Sequence, residues 1–295
     1  MTITNPYKRR DVFRCNMDAH RRFDGWVSAY HVLKEKACFP QGCLYFLWRC
    51  VLLEKGERCV HGFNHVGKTC RGCTYYCEEK VNPQPQLMLD DESFAQFQDE
   101  VDQFESWLGS VRFKRLDLAG EIINVKPWYT KVLLPREEQT RLRGYLLIIK
   151  QGFIGLHAFE DPFYVRVSEK VMRQFDFIPK MRIEMVGEIR EDRGRIVVYQ
   201  PKQIEVIEIG SGRLWTKEAA LVSIKTAGLL KDQHEQCLAC SWGSLVDVTD
   251  KRDRDERRFR RLYCLKNVAD PRACYVHALD SVASLSCSST MIVTD

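Results

Sequence analysis

Several features that would identify common protein classes are absent from this sequence of 295 residues. A transmembrane helix needs about 20 consecutive apolar residues, but the longest apolar stretch, 43–53, is interrupted by Arg49. The first ten residues include three basic ones, and no apolar segment follows them as a secretory signal would require. The sequence therefore predicts a cytoplasmic protein with no membrane partner.

The motifs of the large enzyme families are missing as well. The chain has no GxxxxGK[ST] phosphate loop, no GxGxxG after a strand, no GxSxG nucleophile turn and no HExxH zinc motif. Asp and Glu are numerous, but no pair has a spacing that suggests acid–base catalysis. We therefore expect a binding protein rather than an enzyme, with no catalytic residue to name.

Cysteine, in contrast, is abundant, with thirteen residues in the chain. A reducing cytosol does not sustain structural disulfides, so closely spaced cysteines there favour metal binding or redox chemistry. Eight of them fall into two clusters and are candidate metal ligands. These are Cys59, Cys70, Cys73 and Cys77 in the first cluster, and Cys237, Cys240, Cys264 and Cys274 in the second.

The C-terminal cluster has the spacing C-x2-C-x23-C-x9-C. A C-x2-C turn directs two thiolates towards the same tetrahedral site, and two further cysteines would complete a structural Zn²⁺ site. Residues 234–277 resemble a zinc ribbon in this pattern. His234 and His277, close to the first and last cysteine, are alternative ligands.

The N-terminal cluster has the spacing C-x10-C-x2-C-x3-C. Three thiolates lie close together between Cys70 and Cys77, which suits either Zn²⁺ or a [4Fe-4S] cluster. The fourth ligand is Cys59 or one of the earlier residues Cys38 and Cys43. The spacing matches neither the ferredoxin run nor the C-x3-C-x2-C triad of radical enzymes, so both metals stay open here.

Short β-rich segments follow one another between residues 111 and 210. The first ones are 116–126, 144–150 and 163–167, and a helix-like segment that Ser168 can cap comes after the third. Three strands, a short helix and then further strands is the order of an OB-fold, a five-stranded barrel. Residues 111–210 resemble that fold in pattern, without the motif of a specific family.

These segments predict an α+β, β-dominated fold, in which a small OB-like antiparallel barrel is flanked by two Cys-rich metal-binding modules. The predicted organisation is a Cys-rich module at 1–80, a linker with an acidic amphipathic helix at 81–110, the barrel at 111–210, a helix with a zinc-ribbon-like module at 211–280, and a loose tail at 281–295.

The distribution of charge points to a partner. The net charge is +5, although residues 81–110 carry seven acidic side chains and no basic one. Aromatic and basic residues alternate at two places, and nucleobases stack on aromatic rings while cations contact phosphates. The candidate nucleic-acid-binding residues are Lys126, Trp128, Tyr129, Lys131, Arg257, Arg258, Arg260 and Arg261.

The sequence thus predicts a protein that binds DNA or RNA, as a single strand or as structured RNA, with metals that are structural. Two alternatives stay open at this point. One is an iron–sulfur redox or sensor protein in which the barrel is a scaffold. The other is an adaptor that binds a protein partner through the acidic helix at 90–108.

Overall fold

The structure is a computed structural model that describes residues 2–17, 20, 25–231, 235–252 and 256–276. The chain divides into two compact units. The N-terminal unit comprises residues 6–101, and the sheet unit comprises residues 1–5 together with 102–295.

Strands outnumber helices in the described part of the chain. The strands are β1 (Thr2–Ile3), β2 (Phe13–Arg14), β3 (Trp26–Val27), β4 (Tyr45–Cys50), β5 (Tyr76–Val81), β6 (Gln86–Leu87), β7 (Arg115–Leu133), β8 (Glu138–Ile154), β9 (His157–Phe159), β10 (Phe163–Val167), β11 (Arg182–Asp192), β12 (Arg195–Glu208), β13 (Gly228–Leu229), β14 (Gly243–Asp250) and β15 (Arg257–Cys264). The α-helices are α1 (Val51–Glu54), α2 (Asp91–Val111), α3 (Glu169–Phe175), α4 (Lys217–Lys225) and α5 (Glu235–Ala239).

The N-terminal unit has two small antiparallel sheets. β2 pairs with β3 and β6, and β4 pairs with β5. Its core is formed by apolar side chains of short segments, among them Val12, Phe13 and Val32, and by Phe97 from the first half of α2. This cluster joins the sheet of β2, β3 and β6 to the first half of α2, and among the described residues it includes none of β4 or β5.

Helix α2 begins where the sequence predicts. Asp90 caps it, because its Oδ1 accepts a hydrogen bond from the amide of Ser93 at 2.7 Å. The apolar stripe at intervals of three and four is buried, with Phe97 in the N-terminal unit and Phe104 and Leu108 in the sheet unit. Trp107 stacks on Phe159 within the sheet unit, with ring centroids 5.4 Å apart.

The sheet unit is organised around one mixed sheet of ten strands in the order β1-β9-β8-β10-β12-β11-β7-β14-β15-β13, with β8 additionally paired to β7. β10 runs parallel to β12, and β14 runs parallel to β7. Strand β8 passes close to the end of β10 at Gly144, where a Cβ atom would lie 2.2 Å from the main-chain oxygen of Val167. Only glycine allows β8 and β10 to approach so closely at this point.

Helices α3 and α4 both begin at a side-chain cap, and that of α3 is the predicted Ser168. The Oγ atom of Ser168 accepts a hydrogen bond from the amide of Val171, and the Oγ1 atom of Thr216 accepts one from the amide of Ala219. These side chains satisfy amides that have no partner within the helix.

The predicted fold class is correct in its β-dominated α+β character and wrong in its architecture. The strands expected to form a small antiparallel barrel belong to the ten-stranded mixed sheet. The difference arises because β7 and β8 continue well beyond 116–126 and 144–150, and their extra residues pair with β14 and β9. Flanking metal-binding modules are not found either, because the described residues contain no group of three or more His, Cys, Asp or Glu side chains that could hold a metal ion.

Candidate functional site

The outer face of β10, β11 and β12 carries polar and aromatic side chains. Successive residues of a strand point to opposite faces, and in β10 the buried Val165 and Val167 alternate with the half-buried Tyr164 and Arg166. In β12 three buried residues, 196–198, precede the half-buried Tyr199, and the register of β12 with β10 places Tyr199 beside Arg166. The strand period therefore places arginine and tyrosine side chains together on one face.

Arginine and aromatic side chains alternate along this face in a single row. The guanidinium carbon of Arg166 lies 4.3 Å from the ring centroid of Trp128 and 4.5 Å from that of Tyr199. The guanidinium carbon of Arg190 lies 4.6 Å from the ring of Tyr199 and 5.9 Å from that of Phe113. We call the series Trp128, Arg166, Tyr199, Arg190 and Phe113 the arginine–aromatic row.

Cation–π contacts at these distances hold the guanidinium groups flat against the rings. Phe113 at the end of the row is 62% exposed, and the other members are half-buried. Arg190 also forms an ion pair with Glu188, 2.6 Å from Nε to the carboxylate. The row is thus fixed in place by neighbouring groups and still open to a ligand.

A network of ion pairs borders the row on the side of β14 and β15. Arg260 donates from Nη2 to Asp192 at 2.5 Å and from Nε to Asp247 at 2.7 Å. Asp192 also accepts from Arg166 at 3.0 Å, and Asp247 accepts from the indole Nε1 of Trp128 at 3.0 Å. The network therefore connects β11 to the hairpin of β14 and β15 through side chains.

These contacts change the proton affinity of Asp247. Burial alone would raise the pKa of this carboxyl group, but the hydrogen bonds from Arg260 and Trp128 and the charges of Arg260 and Arg166 outweigh burial and lower it below 3.8. The aspartate is therefore ionised under ordinary conditions and pairs with the guanidinium groups.

A cleft of about 250 Å³ lies beside this network. Arginines and aromatic rings line it together with the two carboxylates, and its walls include Arg166, Asp192, Tyr199, Asp247, Arg258 and Phe259. Its volume is slightly below that of pockets for drug-sized ligands. It suits one flat group accompanied by a negative charge, such as a nucleotide.

The sequence-predicted binding residues of β7 are only partly at this surface. Trp128 is in the row, but Tyr129 is fully buried and donates its hydroxyl to the main-chain oxygen of Ala220 at 2.7 Å. Lys126 is 6% exposed and lies inside the sheet unit. Lys131 pairs with Glu138 at 2.5 Å. Tyr129 is therefore not accessible to a ligand, because β7 extends beyond the predicted end at residue 126 and turns this side chain into the interior.

The four predicted arginines of β15 have different surroundings. Arg260 belongs to the ion-pair network, and Arg258 lines the cleft while pairing with Glu256 at 2.6 Å. The guanidinium carbon of Arg261 lies 5.0 Å from the ring centroid of Phe259, and Arg257 is exposed near the start of the strand. The first half of β15 therefore reaches the cleft, through Arg258, Phe259 and Arg260.

Sequence reasoning missed Arg166, Arg190, Tyr199 and Phe113. The signal was present, because Tyr-Val-Arg-Val at 164–167 alternates polar and apolar residues as a strand with one exposed face does. What the sequence does not contain is the pairing of β10 with β12, which brings Arg166 beside Tyr199.

The four predicted C-terminal ligands line one cavity of about 500 Å³. These are Cys237, Cys240, Cys264 and Cys274. Burial and the neighbouring thiols raise the pKa of Cys237 to about 11. The alternative ligands His234 and His277 lie outside the described residues. Although the four cysteines share a cavity, they do not form a group that could hold a metal ion in the described arrangement, and zinc binding stays a prediction.

Polar side chains of β7 hold the segment that carries the first two of these cysteines. Lys126 donates from Nζ to the main-chain oxygens of Leu238 at 2.5 Å and of Gly243 at 2.9 Å. Asn124 donates to the main-chain oxygen of Ala239 at 2.9 Å. Burial lowers the pKa of Lys126 to about 8. Lys126, a residue of β7, therefore anchors the main chain at Leu238 and Gly243, where the chain enters β14. Its ammonium group does not face a ligand.

The N-terminal cysteines are spread over several short elements. Cys59 is in a loop, and Cys70 ends a 3-10 turn that begins at Lys68. Cys73 follows in the next turn, and Cys77 is exposed on β5. The prediction of zinc or a [4Fe-4S] cluster here stays a prediction.

The two cysteines that were alternative fourth ligands lie elsewhere in the N-terminal unit. Cys38 is buried, and Cys43 packs against the same apolar cluster, which also contains Cys15. Burial, a hydrogen bond with Cys43 and the neighbouring thiols raise the pKa of Cys38 to about 12. The structure thus places these two cysteines in a core environment.

Comparison with known proteins gives no relative. No family model, no curated protein and no solved structure matches the chain. Within the residues that the structure describes, none of the helices has the length and apolar composition to cross a bilayer.

Proposed function

We propose that the sheet unit binds single-stranded nucleic acid, either a DNA or RNA strand or an unpaired segment of a structured RNA, along the arginine–aromatic row. The observation that carries the proposal is the alternation of rings and guanidinium groups on one sheet face, with Arg166 and Arg190 each in contact with two rings. Proteins that bind single strands combine rings for base stacking with cations that follow the phosphates.

The spacing of the row supports this proposal. Adjacent strands lie about 4.8 Å apart and alternate residues along a strand about 6.6 Å, which is the range of spacings between successive nucleotides of an extended strand. Several bases can therefore contact several rings at once. The arginines that flank the rings supply the positive charge that each phosphate requires.

The affinity for a fluorescein-labelled oligonucleotide of about 12 nucleotides, measured by anisotropy, tests the proposal. Arg190→Ala should weaken binding several-fold and lower the slope of log affinity against log salt by about 0.7, the value for one lost phosphate contact on a single strand. The matched control is Arg182→Ala. Arg182 is on the same strand, is exposed, and also pairs with a glutamate, Glu208. Equal affinities of the two variants, or no binding by the unmodified chain, would reject the proposal.

The iron–sulfur alternative, the adaptor alternative through helix 90–108 and the cytoplasmic location stay predictions. Nucleic-acid binding is favoured over them here because the row and the cleft offer a surface with matching chemistry.

A further inference from the structure

The cleft contains two carboxylates that a surface built only for phosphates would not have. The side chains of Asp192 and Asp247 are 23% and 34% exposed, and both lie among the arginines that are available for phosphate contacts. A carboxylate repels a phosphate and neutralises part of the charge that attracts it. Protein donors already occupy part of these two carboxylates, so the question is which acceptor they leave to a ligand.

One of the four carboxylate oxygens has no donor among the described residues. Both hydrogen bonds to Asp192 end on Oδ2, from Arg166 and from Arg260. Asp247 accepts one hydrogen bond on each oxygen, from Arg260 and from Trp128. The Oδ1 atom of Asp192 is therefore the acceptor that the cleft can offer to a ligand.

The base chemistry then decides which nucleotide fits. Guanine has two adjacent donors, N1–H and the N2 amino group, on its Watson–Crick edge. Adenine and cytosine place an acceptor nitrogen beside their amino group, and thymine and uracil place a carbonyl on each side of N3–H. Cytosine can offer a carboxylate one donor, the N4–H on the side of C5–H, whereas guanine alone offers two adjacent donors. Tyr199 and Phe259 line the same cleft and supply ring faces for stacking.

We propose that the cleft beside the arginine–aromatic row selects a guanine base of the bound strand through the carboxylate of Asp192. The inference rests on the proposed function. Arg166 and Arg260 hold the carboxylate in place through hydrogen bonds, and Arg258, which also lines the cleft, is positioned for the adjoining phosphate.

The first test changes only the ligand. Thymine-rich 12-mers that differ at one central position, which holds guanine, adenine, cytosine, thymine or hypoxanthine, are titrated against the full chain. A single guanine avoids quadruplex formation. We expect the guanine strand to bind about 5-fold or more tighter than the other natural strands, because N1–H and the N2 amino group can both donate to Oδ1 of Asp192, whereas the other bases offer it at most one donor. Hypoxanthine lacks the amino group, so its strand should lose part of the preference.

The second test changes the protein. Asp192→Asn should abolish the preference for guanine, measured as the ratio of the affinities of this variant for the guanine and thymine strands. Asp117→Asn, at an exposed position of β7, removes the same charge and should keep the preference.

The outcomes separate the two proposals. Equal affinity for all central bases overturns the selection of guanine and leaves nucleic-acid binding intact. A preference that survives in Asp192→Asn overturns the assignment to Asp192. Absence of binding to every strand overturns the proposed function itself. If Asp192→Asn does not fold, the comparison of guanine with hypoxanthine on the unmodified chain still decides whether the cleft selects guanine through its amino group.

Discussion

The ammonium group of Lys126 lies 2.5 Å from the main-chain oxygen of Leu238, deep inside the sheet unit. Leu238 lies between Cys237 and Cys240, so a residue of β7 fixes the turn that carries two of the predicted zinc ligands. A buried polar group is tolerated only where hydrogen bonds compensate for the lost water. Lys126 has two such bonds, to Leu238 and Gly243, which assigns it a structural role.

Gly243 in the same segment gives a prediction about stability. A Cβ atom added at this position would lie 1.7 Å from the main-chain oxygen of Cys237. Because the obstructing atom belongs to the backbone, it cannot move aside as a flexible side chain would. We expect Gly243→Ala to lower the free energy of unfolding by about 2–3 kcal/mol or more, measured by urea denaturation.

The control for this change is Gly109→Ala. Gly109 lies inside α2, and a Cβ atom there would have no heavy atom within 4 Å. Alanine is the better helix former, so this variant should gain about 0.5–1 kcal/mol. A Gly243→Ala chain as stable as the unmodified one would show that the turn after Cys240 is not packed as described.

Metal content is the second prediction. If Cys237, Cys240, Cys264 and Cys274 bind zinc, protein purified without oxygen should contain about one zinc atom per chain at this site. Cys240→Ser should remove it, whereas Cys50→Ser, at a buried position of β4 outside the two candidate clusters, should not. Zinc content that is unaffected by Cys240→Ser, or metal-free protein with native stability, would contradict the assignment.

The same preparation distinguishes the two metals that the N-terminal cysteines could bind. About four iron atoms per chain with broad visible absorbance would indicate a [4Fe-4S] cluster. A colourless protein with a second zinc atom would indicate a structural site. In either case, Cys73→Ser should release the metal if Cys59, Cys70, Cys73 and Cys77 hold it.

The sequence predicts local features of this protein better than long-range ones. The caps Ser168 and Thr216 and the start of α2 follow from side chains that act within a few residues. The surroundings of Lys126 do not, because its hydrogen-bond acceptors lie 112 and 117 residues further along the chain. A lysine beside Pro127 and Trp128 appears exposed until the pairing of β7 with distant segments is known.

The arginine–aromatic row illustrates the same limit. Phe113, Trp128, Arg166, Arg190 and Tyr199 come from separate segments, and only the register of β7, β10, β11 and β12 brings them together. Alternation within each strand was visible in the sequence. The order of strands in the sheet was not, since it depends on pairings between residues far apart in the chain.

Trp128 and Tyr129 are adjacent in sequence, and we expect their substitutions to have opposite effects. Trp128 faces Arg166 in the row, so Trp128→Leu should weaken oligonucleotide binding by about 5-fold or more, the cost of one lost stacking contact. Tyr129→Phe removes the buried hydroxyl that binds Ala220. It should lower stability by about 0.5–1.5 kcal/mol and leave the affinity unchanged.

Anisotropy and urea denaturation on both variants separate the two effects, and circular dichroism checks that Trp128→Leu is folded. An affinity that falls in Tyr129→Phe but not in Trp128→Leu would place the ligand on the opposite face of β7.

The ion pairs of Asp247 predict how stability depends on pH. The pKa of its carboxyl group is 3.8 in the unfolded chain and lower in the folded chain. Ionised Asp247 therefore stabilises the fold at a pH above 3.8. This contribution is lost as the pH falls through the lower pKa of the folded chain. Asp247→Asn removes the ion pair with Arg260, and we expect it to cost roughly 1–3 kcal/mol at about pH 6. The difference between the unmodified chain and the variant should shrink as the pH falls below 3.8. A difference for Asp247→Asn that stays constant over this range would mean that the loss comes from packing and not from the charge of the carboxylate.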